Sequence, residues 1–221
     1  MSEGLFPGIQ GAADCAGWAD EAWALMERLF PVCRSITGDG VRETLAAVGE
    51  RLPLQMHEVP SGLPVFDWVV PQEWNVREAW IKDPAGNKVV DLSQHTLHLM
   101  SYSTPVRAHM TLAELRLHLH SLPDHPEWIP YRTSYYREAW GFCLPHRQLE
   151  SLPDGTYEVF IDSTLTPGHL TYAECVVPGR SEQEFLVFTH VCHPGLCNDN
   201  LTGIAVATAL AAELMSGAPP R

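Results

Sequence analysis

Between positions 190 and 199 the chain presents His190, Cys192, His193, Cys197 and Asp199. Imidazole, thiolate and carboxylate are the side chains that bind zinc. A catalytic zinc site uses about three of them and leaves a position open for water, whereas a structural site closes with four. His190, His193 and Asp199 would give the open kind, with a carboxylate able to bridge two metals. His190, Cys192, His193 and Cys197 would give the closed kind. Spacing alone does not decide which histidine partners Asp199, since strand-end placement favours His190 and the Cys-His-Pro segment favours His193.

The elements around this cluster are those that usually carry a site. Phe185 to Phe188 is a continuous apolar run with aromatic and β-branched members, the pattern of a strand buried on both faces. Thr202 to Met215 is rich in helix formers, with Asn200 or Thr202 placed to cap it. The ligand loop is therefore expected where a buried strand hands over to a helix, the position at which open α/β sheets collect their ligands.

Composition narrows the function. The chain has 221 residues, 45% of them hydrophobic, enough for a packed core. A formal net charge of −13 opposes binding to nucleic acid or to anionic membranes and leaves a peptide or amide-containing small molecule as the expected substrate. No apolar run reaches the roughly 20 residues of a membrane helix, and MSEGLFPGIQ lacks a signal-peptide pattern, so the expected compartment is the cytoplasm. Self-association is compatible with this composition. Six cysteines do not make a disulfide scaffold; Cys15, Cys33, Cys143 and Cys175 are expected as free thiols in apolar surroundings.

In chain order, residues 1–17 are expected as a loose leader. Helices are predicted at Ala19–Phe30 and Gly40–Leu52, the second starting near Thr37 or Asp39, and a strand at Leu54–Val59. From about residue 64 to 150 the texture changes, with dense aromatics (Phe66, Trp68, Trp74, Trp80), a turn at Asp83–Asn87, and a helix at Thr111–Ser121 opened by the capping box Thr111/Glu114. Phe66, Trp68 and Trp74 read either as a carbohydrate or peptide platform or as the core of this module. His118 and His120 have no ligand cluster around them. Arg34, Ser35 and Thr37 would either line a pocket or fix a helix corner. Thr156–Ser163 and Leu170–Val177 alternate as strands around a Thr-Pro-Gly-His turn and predict an antiparallel hairpin.

Three stretches carry a resemblance. Asn198 to Gly203 (NDNLTG) resembles the N-D-N-x-S/T-G segment of co-catalytic di-zinc aminopeptidases. LFPVCRSITGDGVRETL, PVFDWVVPQEWNV and CHPGLCNDNLTG together resemble the bacterial aminopeptidase-like domain family, often found beside polysaccharide-biosynthesis genes. The resemblance implies an α/β fold: a mixed-sheet, three-layer α/β/α zinc-aminopeptidase-like core, formed by residues 18–63 and 151–221 and left incomplete, with a small α+β domain inserted at 64–150. It implies a zinc-dependent amide-bond hydrolase holding two zincs when complete, with Asp199 as the bridging ligand. It departs from the di-zinc pattern at Cys192, where those enzymes place an aspartate that orients the histidine. The general-base glutamate and later ligands of those enzymes have no counterpart here, so the expectation is a front portion with no catalytic base of its own and little activity. Two other readings compete: a non-catalytic binding or assembly protein that kept the fold, and a structural zinc protein.

Overall fold

The computed structural model describes residues 12–216. Most of the expected leader, residues 1–11, lies outside the described residues; the remainder is helical. Helix α1 spans Ala12–Leu29 and α2 Asp39–Gly49. Strands β1 (Gln55–Pro60), β2 (Pro64–Val65), β3 (Trp68–Val69), β4 (Glu73–Lys82), β5 (Lys88–Asp91) and β6 (Val106–Thr111) follow. Next come α3 (Leu112–Leu115), β7 (Leu119–His120), β8 (Phe142–Cys143), α4 (His146–Glu150), β9 (Thr156–Thr166), β10 (His169–Glu174) and α5 (Thr202–Ser216).

Two apolar centres form. One gathers Leu29, Ala47, Val48, Leu52, Leu201 and Ile204 from α1, α2 and the entry to α5. The other lies on the four-stranded antiparallel sheet β5-β4-β9-β6. In β9, Tyr157, Val159, Ile161 and Ser163 are buried at every second position, the period that puts one sheet face inward. Leu99, Leu115, Phe142 and Leu144 share one core with Val90 of β5 and with Tyr157, Val159 and Ile161 of β9. The sheet crosses residue 150, because β9 pairs with both β4 and β6.

That pairing corrects the expected hairpin. A strand has two hydrogen-bonding edges, and those of β9 are taken by β4 and β6, so β10 turns away and pairs with β1, His57 facing Tyr172. The Pro167-Gly168 corner lets the chain change sheets: Gly168 lies against the Glu73 side chain, where a Cβ would not fit. A second correction concerns Phe185–Phe188. No strand among the described residues runs beside this segment; it is irregular and open, with Phe185 95% and Phe188 77% exposed. An apolar run becomes a buried strand only where neighbours supply ladder partners, and here none lies alongside.

Smaller differences have local causes. The Thr111/Glu114 capping box is present, but α3 lasts one turn before the chain tightens and becomes β7, since His118 stacks on Trp140 at 3.6 Å. Helix α2 is entered through Gly38 at φ +95°, in the left-handed region that suits glycine, and Asn75 Oδ1 accepts from the Asp39 N–H at 2.7 Å in place of a local cap. Trp74 is core, its indole N–H donating to the Ser103 carbonyl at 2.9 Å. Phe66 and Trp68 are not in either apolar centre.

The carboxylate of Glu73 joins α2 to the sheet. It receives the Arg42 guanidinium and the backbone N–H of His169 at 3.0 Å, and these, Arg42 foremost, hold its pKa below the ordinary carboxylate range. A depressed folded pKa contributes stability above the unfolded value of about 4.3 and loses it as pH falls through the folded value. Glu73→Gln should lower unfolding stability at neutral pH by about 1–3 kcal/mol and leave a shallower acid limb below about pH 4.3. Urea melts across pH check this; identical limbs in both proteins would remove Glu73 from the account.

Candidate functional site

The loop before α5 is held from behind. Arg34, fully buried, donates from Nη1 to the Leu29 carbonyl at 2.6 Å and from Nε to the His193 carbonyl at 3.0 Å. One guanidinium thus ties the end of α1 to the ligand loop. Burial lowers its pKa to about 10, which leaves it charged at neutral pH. On either side, Ser35 bonds Ser101 at 2.7 Å and Thr37 bonds the Tyr102 hydroxyl at 2.6 Å, so the same turn is fastened to the sheet module. Tyr102 sits at φ +66°, a region costly for a residue with a Cβ. Its hydroxyl donates to the Gln72 carbonyl at 3.0 Å, and its ring packs on Trp74 and Tyr135. Arg34, Ser35 and Thr37 therefore fix a corner, and Arg34 also positions the loop.

The loop brings some predicted residues together. His193 Nδ1 lies 3.7 Å from Asp199 Oδ1, 3.2 Å from Cys192 Sγ and 3.5 Å from Asn200 Nδ2. Its ring is covered by Tyr131, centroid to centroid 4.9 Å. Burial pulls the His193 pKa below the usual imidazole range, against the Asp199 carboxylate, and burial together with Asp199 pushes the Cys192 thiol up. Asp199 and Asn200 depart from helical geometry at the head of α5, where Thr202 Oγ1 donates to the Cys197 carbonyl at 2.8 Å. The peptide bond between Asp199 and Asn200 is cis.

His190 is exposed, its ring 6.1 Å from that of His193 and edge-on. Cys197 is exposed at the start of the turn. Among the described residues no three His, Cys, Asp or Glu side chains converge as a metal site would require. What does converge is the half-buried imidazole of His193 and the Asp199 carboxylate; Asn200 turns its Nδ2 towards His193, and its buried Oδ1 has no hydrogen-bond partner among the described residues. The imidazole and the carboxylate are lone-pair donors, and a cation is the ligand that would satisfy them, so the residues fit two protein ligands of a zinc ion. His118 and His120 play no such part: His118 is stacked on Trp140 with Nδ1 3.2 Å from its carbonyl. Cys143 is buried and Cys33 partly so, and burial pushes both thiols up to about 12.

Tyr131 and Asn200 belong to the site without having been singled out for it. The sequence offers Asn200, within the NDN segment, only as a helix cap. Tyr131 offered no signal, because it reaches His193 across the fold.

Residues 23–221 match the family described as "Domain of unknown function (DUF4910)". A Clostridium acetobutylicum protein named "Putative polysaccharide biosynthesis protein with aminopeptidase-like domain" is 48% identical over 206 residues, covering 93% of this chain and 47% of the relative. A crystal structure of a "putative peptidase" from Clostridium acetobutylicum superposes with a TM-score of 0.90 at 47% identity, over 93% of this chain and 49% of that one. The chain spans about half the length of the relatives it matches.

Arg34→Met should remove the side-chain donors to the Leu29 and His193 carbonyls at a cost of about 1–3 kcal/mol and release the His193 loop, whereas Arg34→Lys should recover part of the loss. Urea unfolding, with the His193 ring signal in NMR as the local readout, checks both. An unchanged midpoint and an unmoved His193 signal in Arg34→Met would contradict the clamp.

Proposed function

We propose that this chain, which belongs to the DUF4910 family, is part of a zinc-dependent amide-bond hydrolase of the aminopeptidase type, with His193 and Asp199 among its metal ligands. The observation that carries the proposal is the approach of His193 to Asp199 at the head of α5, in a chain whose relative is named for an aminopeptidase-like domain. His193 is preferred to His190 because Arg34 holds its backbone and Tyr131 shields its ring, while His190 is exposed.

Zinc, when bound, supplies Lewis acidity that polarises an amide carbonyl and acidifies water. The chain's own residues do the rest of the positioning. Asp199 offers carboxylate oxygens at a helix head, His193 offers an imidazole nitrogen, and Arg34 keeps the loop from sliding. Tyr131 keeps bulk water from one face of His193. No proton-accepting base is assigned among the described residues; the relatives are about twice this length. The same proposal makes 18–63 and 151–221 parts of a three-layer core and 64–150 an insertion whose sheet recruits β9. The compartment proposed is the cytoplasm; no helix among the described residues is long and apolar enough to cross a membrane.

Zinc content after dialysis of the longer protein tests the ligand assignment. His193→Ala and Asp199→Ala should each weaken zinc binding about tenfold or more and lower hydrolysis of an aminoacyl anilide in parallel, while His190→Ala stays near wild type. Absence of bound zinc in the longer protein, or loss in His190→Ala but not in His193→Ala, would overturn it.

A further inference from the structure

Trp74 is taken into the core, whereas Trp68 and Tyr136 lie outside both apolar centres. The β2–β3 hairpin and the loop at Tyr135–Tyr136 enclose an open groove of about 580 Å³, whose walls include Asp67, Trp68, Gln72, Tyr135 and Tyr136. Tyr136 is 83% exposed. An aromatic left in water forgoes the stabilisation of burial, and clustered aromatic surface marks a place where something else covers it.

The walls are held in place before any ligand arrives. Tyr135 packs edge-on against Tyr102 at 5.1 Å, and its hydroxyl lies 2.7 Å from that of Tyr131. Tyr102 is in turn fixed by Thr37 and Gln72. Across the groove, Trp68 pairs with Val65 in the hairpin ladder.

We propose that this groove is a saccharide subsite that receives a neutral or amino-bearing pyranose ring. A pyranose has a face of C–H bonds, which the negative face of an aromatic ring attracts, and a rim of hydroxyls that need partners. Trp68, Tyr135 and Tyr136 supply the rings, and the Asp67 carboxylate and Gln72 amide supply acceptors and donors at the rim, the mixture of apolar walls and few polar groups that small-ligand sites show. The open, shallow form suits a ring that keeps much of its hydration, whereas an apolar peptide side chain calls for an enclosed slot. The chain's net charge of −13 and the Asp67 carboxylate disfavour anionic sugars.

The groove also connects to the ligand loop. Tyr135 bonds Tyr131, and Tyr131 covers His193. Taken with the hydrolase proposal, on which this step rests, the subsite makes an amide-bearing saccharide the substrate class; sugar binding does not depend on it.

Saturation-transfer difference NMR on the 221-residue chain, with methyl β-N-acetylglucosaminide as probe and N-acetylphenylalaninamide as competitor, tests the subsite. The expected result is transfer to the sugar ring protons, weakened about tenfold in Trp68→Ala and in Tyr136→Ala, and not displaced by the phenylalanine derivative. Tyr136 is so exposed that its replacement leaves the fold intact, and near-ultraviolet circular dichroism verifies this. No transfer to the glycoside overturns the subsite, as does transfer that persists in both variants or displacement by the phenylalanine amide. Sugar binding in a protein that takes up no zinc would leave the subsite standing and remove the hydrolase; zinc uptake without sugar binding would do the reverse.

Discussion

A single buried cation organises this structure. Among the described residues the Arg34 guanidinium donates to the carbonyls of Leu29 and His193 and to no carboxylate, and its buried Nη2 has no partner. A guanidinium withdrawn from water is costly unless its donors are used, so the cost of burial falls on any arrangement in which those carbonyls are elsewhere. That makes the end of α1, the turn at Arg34 and the loop at His193 one rigid unit. Ser35 and Thr37, neighbours in the same turn, bond Ser101 and Tyr102 and bring the sheet module into that unit. The two apolar centres supply the bulk of the folding free energy, but neither alone would set the distance from His193 to Asp199.

The features legible in the sequence were the local ones. The periodicity of α1 and α2, the alternation of β1 and β9, the Asp83 turn and the Thr111/Glu114 capping box all depend on residues within a few positions of one another. What misled was the non-local part. Strands β9 and β10 alternate and are joined by a tight turn, yet they do not pair, because β4 and β6 compete for the edges of β9 and win. Phe185–Phe188 has strand composition, but composition cannot supply the neighbouring strand that would make it one.

The candidate site divides the same way. The donor cluster and the helix after it stood out in the sequence, while the choice between His190 and His193 stayed open because both are spaced acceptably from Asp199. Only the clamp from Arg34, 159 positions away from His193, and the cover from Tyr131 distinguish them. Likewise, Trp74 could not be told from Phe66 and Trp68 by type or spacing. The fold separates them: Trp74 enters the core, whereas Trp68 becomes a wall of an open groove.

The central claim is that this loop supplies one imidazole and one carboxylate to a metal. X-ray absorption at the zinc edge of the zinc-loaded longer protein addresses it directly. The expected spectrum shows a first shell of nitrogen and oxygen at about 2.0–2.2 Å with no sulfur, and loss of a light-atom scatterer in Asp199→Ala. Sulfur scattering at about 2.3 Å would contradict it, since Cys192 or Cys197 would then be a ligand and the site would be a structural one.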